Sequence, residues 1–196
     1  MPLSPKLVLI SGHQGSGKTT LSKAMAERLT TLHFDVHRLK FADPIYDMAS
    51  AALSALEKYG FNINHGAPDG RLLQLLGTDW GRKTQGENIW CELTEKRIKK
   101  IRSHERTIII IDDLRFLNEA EIMKDNPKLL LRLDCEEHER KRRAEKWRDD
   151  VKHISEIALD EFKDFDDVLD TASEKPHDTL AKAMKAFSKK FKPFLE

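Results

Sequence analysis

One segment, Gly12-His13-Gln14-Gly15-Ser16-Gly17-Lys18-Thr19, limits the folds open to this chain more than any other. It follows the apolar run 6–10 and precedes a stretch in which Leu21, Met25 and Leu29 recur with helical spacing. A glycine-rich loop between a strand and a helix points its backbone amides inward beside the helix N-terminus, and this arrangement binds phosphate. The segment therefore predicts a phosphate-binding loop (P-loop) carried by a strand–loop–helix unit.

The composition of this loop predicts a nucleoside triphosphate as its ligand. Its glycines allow backbone angles and a close approach that other residues forbid. Lys18 would place a cation on the β- and γ-phosphates, and the Thr19 hydroxyl could bind Mg²⁺. We therefore predict ATP and Mg²⁺ as cofactors, with the nucleotide bound by Gly12, Gly15, Ser16, Gly17, Lys18, Thr19 and Thr20. A glycine-rich turn without a ligand is the alternative, and the flanking strand and helix argue against it.

Strand-like and helical segments alternate along the whole chain. The predicted strands are 6–10, 34–41, 107–111, 129–134 and 168–169, and the main predicted helices are 17–31, 71–82, 88–102, 136–148 and 176–191. A further helix is predicted to begin at Asp43, with Asp43 as its N-cap and Pro44 in its first turn. This alternation predicts an α/β fold, a three-layer P-loop NTPase with a central, mainly parallel sheet. Because we find no dividing linker, we predict one domain over residues 1–196.

Two adjacent carboxylates, Asp112 and Asp113, end the most strand-like segment of the chain. The carboxyl ends of parallel strands form the ligand-binding edge of an open α/β sheet. A carboxylate at that edge could hold the Mg²⁺ ion, usually through water. Adjacent strand residues point to opposite faces, so the spacing leaves open which aspartate would serve the metal. The alternative is that Asp112 caps a turn after a core strand.

The charge balance of the chain argues against a nucleic-acid partner. The 34 lysine and arginine residues and the 33 aspartate and glutamate residues leave a formal net charge of +1, whereas nucleic-acid-binding domains are usually clearly basic. Cys91 and Cys135 lack metal-site spacing and fit a protein without disulfides, and no apolar run reaches membrane length. These features predict a cytoplasmic protein that binds small charged ligands.

The type of phosphoryl acceptor can be inferred from the residues that each reaction needs. A hydroxyl acceptor needs a base, whereas a monophosphate is already largely anionic at neutral pH because its second pKa is about 6. A monophosphate needs mainly alignment and surrounding positive charge. Arg140 and Arg143 share a helix face with Trp147 and could close over ATP as a lid. Alternatively, Glu139 and Arg143 form an ordinary ion pair on a solvated helix.

Four further segments, together with the P-loop, resemble the bacteriophage deoxynucleoside monophosphate kinases. They are 41–44 (Phe-Ala-Asp-Pro), 73–82 (Leu-Gln-Leu-Leu-Gly-Thr-Asp-Trp-Gly-Arg), 112–119 (Asp-Asp-Leu-Arg-Phe-Leu-Asn-Glu) and 153–156 (His-Ile-Ser-Glu). The second and third segments are specific in combination, whereas the P-loop is shared by many families. The resemblance extends from about residue 6 to residue 160.

The resemblance implies a kinase that uses ATP and Mg²⁺ to convert deoxynucleoside monophosphates to diphosphates for phage DNA synthesis in the host cytoplasm. The catalytic residues that it implies are Lys18, Arg82, Arg115, Arg140 and Arg143, the last two in a lid over about 136–150. The acceptor-binding residues that it implies are Asp43, Gln74, Arg82, Trp90, Asp113 and Arg115. The candidate metal ligands are Thr19, Asp112 and Asp113. A helical acceptor-binding region at about 43–102, a nucleotide site shaped by His153 and Glu156, and a possible homodimer also follow from it.

Two other readings remain open at the level of sequence. Another small-molecule P-loop kinase, of the dephospho-coenzyme A or phosphomevalonate type, would share the loop and an arginine lid. A regulatory module that binds a nucleotide without turnover would share the loop alone. The segments around Asp43, Gln74 and Arg115 are the features that favour a deoxynucleotide acceptor.

Overall fold

The computed structural model describes residues 4–62, 69–143 and 154–192, so that Trp147 and His153 lie outside the described residues. The strands are β1 (Lys6–Gly12), β2 (Asp35–Leu39), β3 (Thr107–Leu114), β4 (Lys128–Asp134) and β5 (Asp167–Asp170). The α-helices are α1 (Lys18–Thr31), α2 (Asp43–Glu57), α3 (Gly70–Gln74), α4 (Ile89–Lys100), α5 (Leu117–Ala120), α6 (Glu137–Arg143), α7 (Ile154–Ile157) and α8 (Pro176–Phe191). Over these residues, none of the helices is both long enough and apolar enough to cross a membrane.

The strands of the described chain form one five-stranded sheet in the order β2-β3-β1-β4-β5, and every pairing between them is parallel. The central strand β1 pairs with β3 on one side and β4 on the other, with Leu9 opposite both Ile111 and Leu130. The carboxyl ends of β1 and β3 therefore meet at one edge of the sheet. This edge carries the P-loop and the two aspartates predicted from sequence, and the predicted α/β fold class is confirmed.

Both faces of the sheet are covered, as a three-layer fold requires. On one face, Val8 and Ile10 pack in a core with Leu21 and Met25 of α1 and Phe187 of α8, all of them buried. On the other face, Leu7, Leu9, Ile109 and Ile111 are fully buried. The near-continuous apolar runs of β1 and β3 are therefore explained by burial on two faces.

The chain divides into two compact units. The first contains residues 1–39 and 98–196 and holds the sheet, and the second contains residues 40–97. The boundaries of the second unit are close to those of the region, 43–102, that the resemblance assigns to the acceptor. Its longest helix, α2, buries only Ala49 among its 15 residues.

The second unit also contains the largest departure from the predicted secondary structure. The single helix predicted over 71–82 is instead the short α3 followed by a π-helical segment, Leu75–Gln85. Trp90 packs closely on this segment, and its ring lies 2.2 Å from an ideal Cβ position at Gly81, where a larger side chain would not fit. The Trp90 indole also donates a hydrogen bond to the Gly77 carbonyl at 2.7 Å. Long π-helices are rare and often mark functional sites.

Candidate active site

The backbone of the P-loop is fixed by glycines that no other residue could replace. Gly15 has φ +78°, and a Cβ atom there would lie 3.0 Å from the Arg140 carbonyl oxygen. A Cβ atom at Gly12 would lie 2.6 Å from the Ser16 hydroxyl and 2.8 Å from the Leu133 carbonyl oxygen. The loop therefore needs glycine both for its backbone angles and for its close contact with α6 and β4.

Lys18 lies inside the curve of this loop. Its ammonium donates hydrogen bonds to the carbonyls of Gly12 at 2.5 Å and His13 at 2.7 Å. Burial of the ammonium, followed by the nearby positive charge of Arg115, lowers the pKa of Lys18 to about 7. A phosphate oxygen bound beside this ammonium would restore its charge, because an opposite charge favours the protonated form.

Asp112 lies on the side of the sheet that faces α1. Its carboxylate accepts hydrogen bonds from the Ser22 hydroxyl at 2.5 Å and from the Arg38 guanidinium at 3.1 Å. Arg38 also donates to Ser22 at 2.9 Å, which closes a three-membered network. Asp113, the next residue of β3, is half-buried and points to the opposite face by strand alternation. Of the two aspartates, Asp112 is thus the one bonded to the helix that begins with the P-loop lysine and Thr19.

The residues at this edge fit a magnesium ion held mainly by a bound nucleotide. Thr19 is exposed and lines the cavity described below, and Asp112 of β3 supplies a carboxylate that is bonded to Ser22 of the same helix, α1. Within the described ranges, no three His, Cys, Asp or Glu side chains are grouped to hold a metal. Mg²⁺ commonly keeps several waters and takes one or two protein oxygens together with substrate phosphates, which agrees with this sparse donor set.

A cavity of about 600 Å³ lies beside the P-loop, within the size range of small-molecule sites. Its walls come from the P-loop and α1, from α6, and from the segment that joins β5 to α8. Residues outside the P-loop that line it include Arg142, Arg143, Thr171, Glu174 and Thr179. Only Arg143 in this group was predicted from sequence. Thr171 has a clear structural part, since its hydroxyl donates to the Ser16 carbonyl at 3.0 Å.

The two arginines of the predicted lid have different surroundings. Arg140 is buried and donates to the Cys135 carbonyl at 3.0 Å and to the Gln14 carbonyl at 3.2 Å, so it supports the P-loop from behind. Arg143 lines the cavity and pairs with Glu139 at 3.0 Å, the ion pair expected for a solvated helix. Whether either arginine screens a bound nucleotide stays a prediction.

Arg115 is held at its backbone and at one end of its side chain. The carboxylate of Glu119, which is buried, accepts from the backbone amides of Arg115 at 2.7 Å and Phe116 at 3.1 Å. The guanidinium donates through Nη1 to the Glu156 carboxylate and, at 3.4 Å, to the Ser155 carbonyl. Burial disfavours the charged guanidinium, but Glu156 outweighs it and raises the pKa of Arg115. The sequence pattern of 112–119 thus encodes a turn that fixes this arginine.

A second ion cluster flanks the P-loop at His13. The Arg132 guanidinium donates to the Ser11 hydroxyl at 3.1 Å and to Asp160 at 2.7 Å, and it lies 3.2 Å from Nε2 of His13. Asp160 is also 3.2 Å from the same ring nitrogen. Burial, partly opposed by Asp160, lowers the pKa of His13 and favours the neutral imidazole. Sequence reasoning missed this cluster because its members are far apart along the chain.

In the second unit, Asp43 is part of a local network and does not cap α2. The N-cap of α2 is Ala42, without a side-chain hydrogen bond, so the predicted Asp43 cap is wrong. The Asp43 carboxylate instead accepts from the Lys40 backbone amide at 2.9 Å and the Arg97 guanidinium at 2.7 Å. Arg97, a residue without a predicted role, binds the Lys40 carbonyl as well at 3.1 Å.

The other predicted acceptor residues of the second unit lie around the π-helical segment. Trp90 is buried and packs on Gly81, as expected for a core residue. Arg82 is half-buried and donates to the Glu87 carbonyl at 2.8 Å, and Gln74 ends α3 with a half-buried side chain. Contact of these residues with an acceptor stays a prediction.

Comparison with known proteins gives a family and two named relatives. The model of the AAA domain family matches residues 8–164. A deoxynucleoside-5′-monophosphate kinase of Escherichia phage T5 is 25% identical, over 61% of this chain and 72% of the relative. A protein of Acanthamoeba polyphaga mimivirus, named provisionally as a deoxynucleotide monophosphate kinase, is 29% identical, over 83% of this chain and 86% of the relative.

Among solved structures, the APS kinase of Mycobacterium tuberculosis in complex with AMPPNP and APS has a TM-score of 0.54 with this chain. The alignment covers 95% of this chain and 99% of the APS kinase, at 9% identity. At this identity the likeness concerns the fold, which is that of a P-loop kinase.

Proposed function

The chain belongs to the AAA domain family, and we propose that it transfers the γ-phosphoryl group of ATP to a deoxynucleoside 5′-monophosphate, giving ADP and a deoxynucleoside diphosphate. Its loop, its fold and its relatives identify it more generally as a small-molecule P-loop kinase. The observation that carries the proposal is that Arg115 lies beside the P-loop that contains Lys18, because the Glu156 carboxylate that accepts from its guanidinium also accepts from the Gln14 amide. Two cations at one end of the P-loop suit a reaction between two phosphate groups.

On the donor side, the cavity beside the P-loop would hold the nucleotide. The backbone amides of the P-loop and the Lys18 ammonium would bind the β- and γ-phosphates. Thr19 and Asp112 would bind Mg²⁺, directly or through water, and the ion would neutralise charge that develops on the phosphates. Arg142 and Arg143, which line the same cavity, would add positive charge from α6.

On the acceptor side, Arg115 would bind the monophosphate. Within the described residues its guanidinium uses only Nη1, which leaves the edge formed by Nε and Nη2 for two parallel bonds to phosphate. Asp113 supports the charge of this arginine electrostatically. Arg82, Asp43 and Gln74 of the second unit would also bind the acceptor. Trp90 would contribute by packing on the π-helical segment that follows Gln74.

The proposal is tested by measuring ADP release from ATP and Mg²⁺ with a panel of ribo- and deoxyribonucleoside monophosphates. Dephospho-coenzyme A and phosphomevalonate are included, because kinases for those substrates would share the donor site. We expect stimulation by at least one deoxynucleoside monophosphate and formation of the matching diphosphate. Stimulation only by another acceptor, or by none, would rule out the proposed reaction.

A further inference from the structure

We propose that Glu156 is a positioning residue that joins Arg115 to the P-loop, so that the acceptor-binding arginine and the donor loop are set in one arrangement before substrate binds. The proposal rests on the proposed function for the role of Arg115 as the acceptor ligand. It adds a connection between donor and acceptor groups that neither the family nor the relatives' names supply.

The two carboxylate oxygens of Glu156 have different partners. Oε1 accepts from Nη1 of Arg115, and Oε2 accepts from the backbone amide of Gln14 at 3.1 Å. The side chain of Glu156 is 14% exposed, so both contacts form largely away from water. One carboxylate therefore bridges Arg115, in the turn after β3, and Gln14 of the P-loop. Gln14 and Glu156 are 142 positions apart in the sequence.

The Glu156 carboxylate also offsets the repulsion between the neighbouring cations Arg115 and Lys18. The positive charge of Arg115 adds to burial in lowering the pKa of Lys18, because like charges disfavour the protonated ammonium. Glu156 acts in the opposite sense on both, since its negative charge raises the pKa of Lys18 and that of Arg115. An anion between two cations allows them to lie together without a bound phosphate.

A bound phosphate could either leave Glu156 in contact with Arg115 or displace it. The geometry favours the first arrangement. Glu156 binds Arg115 through Nη1 alone, and the opposite edge of the guanidinium can bind a phosphate at the same time. The carboxylate pairs with a single amide of the P-loop, that of Gln14. The residues of the loop that line the cavity are Gly15 to Thr19, which follow Gln14 in the chain.

The first test is steady-state kinetics with the best monophosphate of the panel, combined with a double-mutant cycle. Glu156→Gln keeps the size of the side chain but replaces one acceptor oxygen by a donor, so one of the two contacts must break. We expect kcat/KM for the monophosphate to fall about 30- to 100-fold, with less than about a threefold change in the Kd of AMPPNP. In an Arg115→Ala background the same change should cost less than about twofold, because the two residues act as a unit.

Glu156→Asp and Glu161→Gln complete this set of variants. The aspartate keeps the charge but is one methylene too short to reach both partners, so partial activity is expected. Glu161 is exposed in the same segment, and its glutamine variant should behave as wild type. Independent, multiplicative losses for Glu156→Gln and Arg115→Ala would overturn the proposal. Tighter monophosphate binding by Glu156→Gln would also overturn it and would identify Glu156 as a competitor of phosphate.

A second measurement tests the bridge even if the proposed reaction is wrong. Phenylglyoxal modifies arginine, and the rate at Arg115 can be followed by mass spectrometry of its peptide without any acceptor. We expect Arg115 to react several-fold faster in Glu156→Gln than in wild type or Glu161→Gln, at equal Tm. An unchanged rate would overturn the positioning role, whereas a faster rate with no monophosphate kinase activity would reject only the proposed function.

Discussion

The two compact units of this chain are packed very differently. In the first, α1 buries Leu21, Ser22, Met25 and Leu29 among its 14 residues, whereas α2 of the second unit, with 15 residues, buries only Ala49. Exposed large apolar side chains are also concentrated in the second unit, at Tyr46, Leu56, Tyr59, Phe61, Leu75 and Trp80. The donor loop is therefore built on a rigid core, while the region assigned to the acceptor depends on a few polar and steric contacts.

This difference in packing predicts which property a substitution in each unit should change. Regions with few buried apolar contacts open locally at low free-energy cost, whereas core elements open only with the whole fold. Changes at the P-loop should then alter chemistry with little effect on structure. Changes in the second unit should alter its local stability and the use of the acceptor, and leave donor binding largely intact.

The largest expected effect is that of Lys18→Met. Removal of the cation proposed to bind the β- and γ-phosphates should lower kcat by about 10³-fold or more, while the protein remains folded. Wild-type turnover in this variant would mean that the P-loop is not the site of transfer. Circular dichroism and the release of ADP provide the two measurements.

The same variant has a pH-dependent effect on stability. The folded pKa of Lys18, about 7, lies below the ordinary lysine value of 10.5, so the folded state binds fewer protons than the unfolded state between these two pH values. The cost of burying the lysine is fully present below pH 7 and is relieved as the pH rises towards 10.5. The Tm of Lys18→Met relative to wild type should therefore be highest at pH 7 and below and decrease by pH 9.

Arg115→Ala should have the next largest effect and should separate the two substrates. If Arg115 binds the acceptor phosphate as proposed, loss of its guanidinium should raise the KM for the monophosphate about 100-fold. The Kd of AMPPNP, measured by calorimetry, should change much less. An equal loss for both substrates would mean that Arg115 serves the donor loop rather than the acceptor.

Gly81→Ala should selectively weaken the second unit. The new methyl group would lie 2.2 Å from the Trp90 ring and 2.8 Å from the Leu76 carbonyl oxygen, which costs about 1–3 kcal/mol. Gly77→Ala is the matched control, because its methyl group would meet only the flexible end of Ile45 at 2.9 Å. Hydrogen exchange should be faster in residues 75–97 of Gly81→Ala than of the control, with the rate in β1 and β3 unchanged. Equal acceleration in both units would show that they unfold together.

The smallest expected effect is that of breaking the Asp43–Arg97 pair. Both side chains are about one third exposed, and such pairs contribute less than about 1 kcal/mol. If Asp43 also contacts the nucleoside, Asp43→Asn should raise the monophosphate KM about fivefold while Arg97→Met changes it less. Equal KM values in the two variants would leave Asp43 a purely structural partner of Arg97.

The sequence predicted the parts of this fold that are encoded locally. The P-loop follows from glycine and lysine spacing, and β3 follows from the run of isoleucines, because both depend on neighbouring residues in the chain. The π-helical segment Leu75–Gln85 packs against Trp90, and Asp43 is paired with Arg97. Neither relation has a periodic signature.

The candidate site shows the same limit. Its donor residues were predicted, but Thr171 and Glu174 reach the P-loop cavity from the far end of the chain. Glu156 was connected with the nucleotide only by resemblance, and its bridge to Gln14 spans 142 positions. Sequence identified the residue types that phosphate chemistry needs, and three-dimensional packing decided which of them meet.

The hydroxyl of Thr171 has a consequence for how the P-loop tolerates substitution. It fastens the segment after β5 to the P-loop through main-chain carbonyls, those of Ser16 and Asp134. Because both acceptors are main-chain oxygens, a change of side chain at position 16 or 134 would leave the acceptors of this hydrogen bond in place. The contact of this segment with the P-loop therefore depends on one hydroxyl, and Thr171→Val would remove it while nearly keeping the size of the side chain.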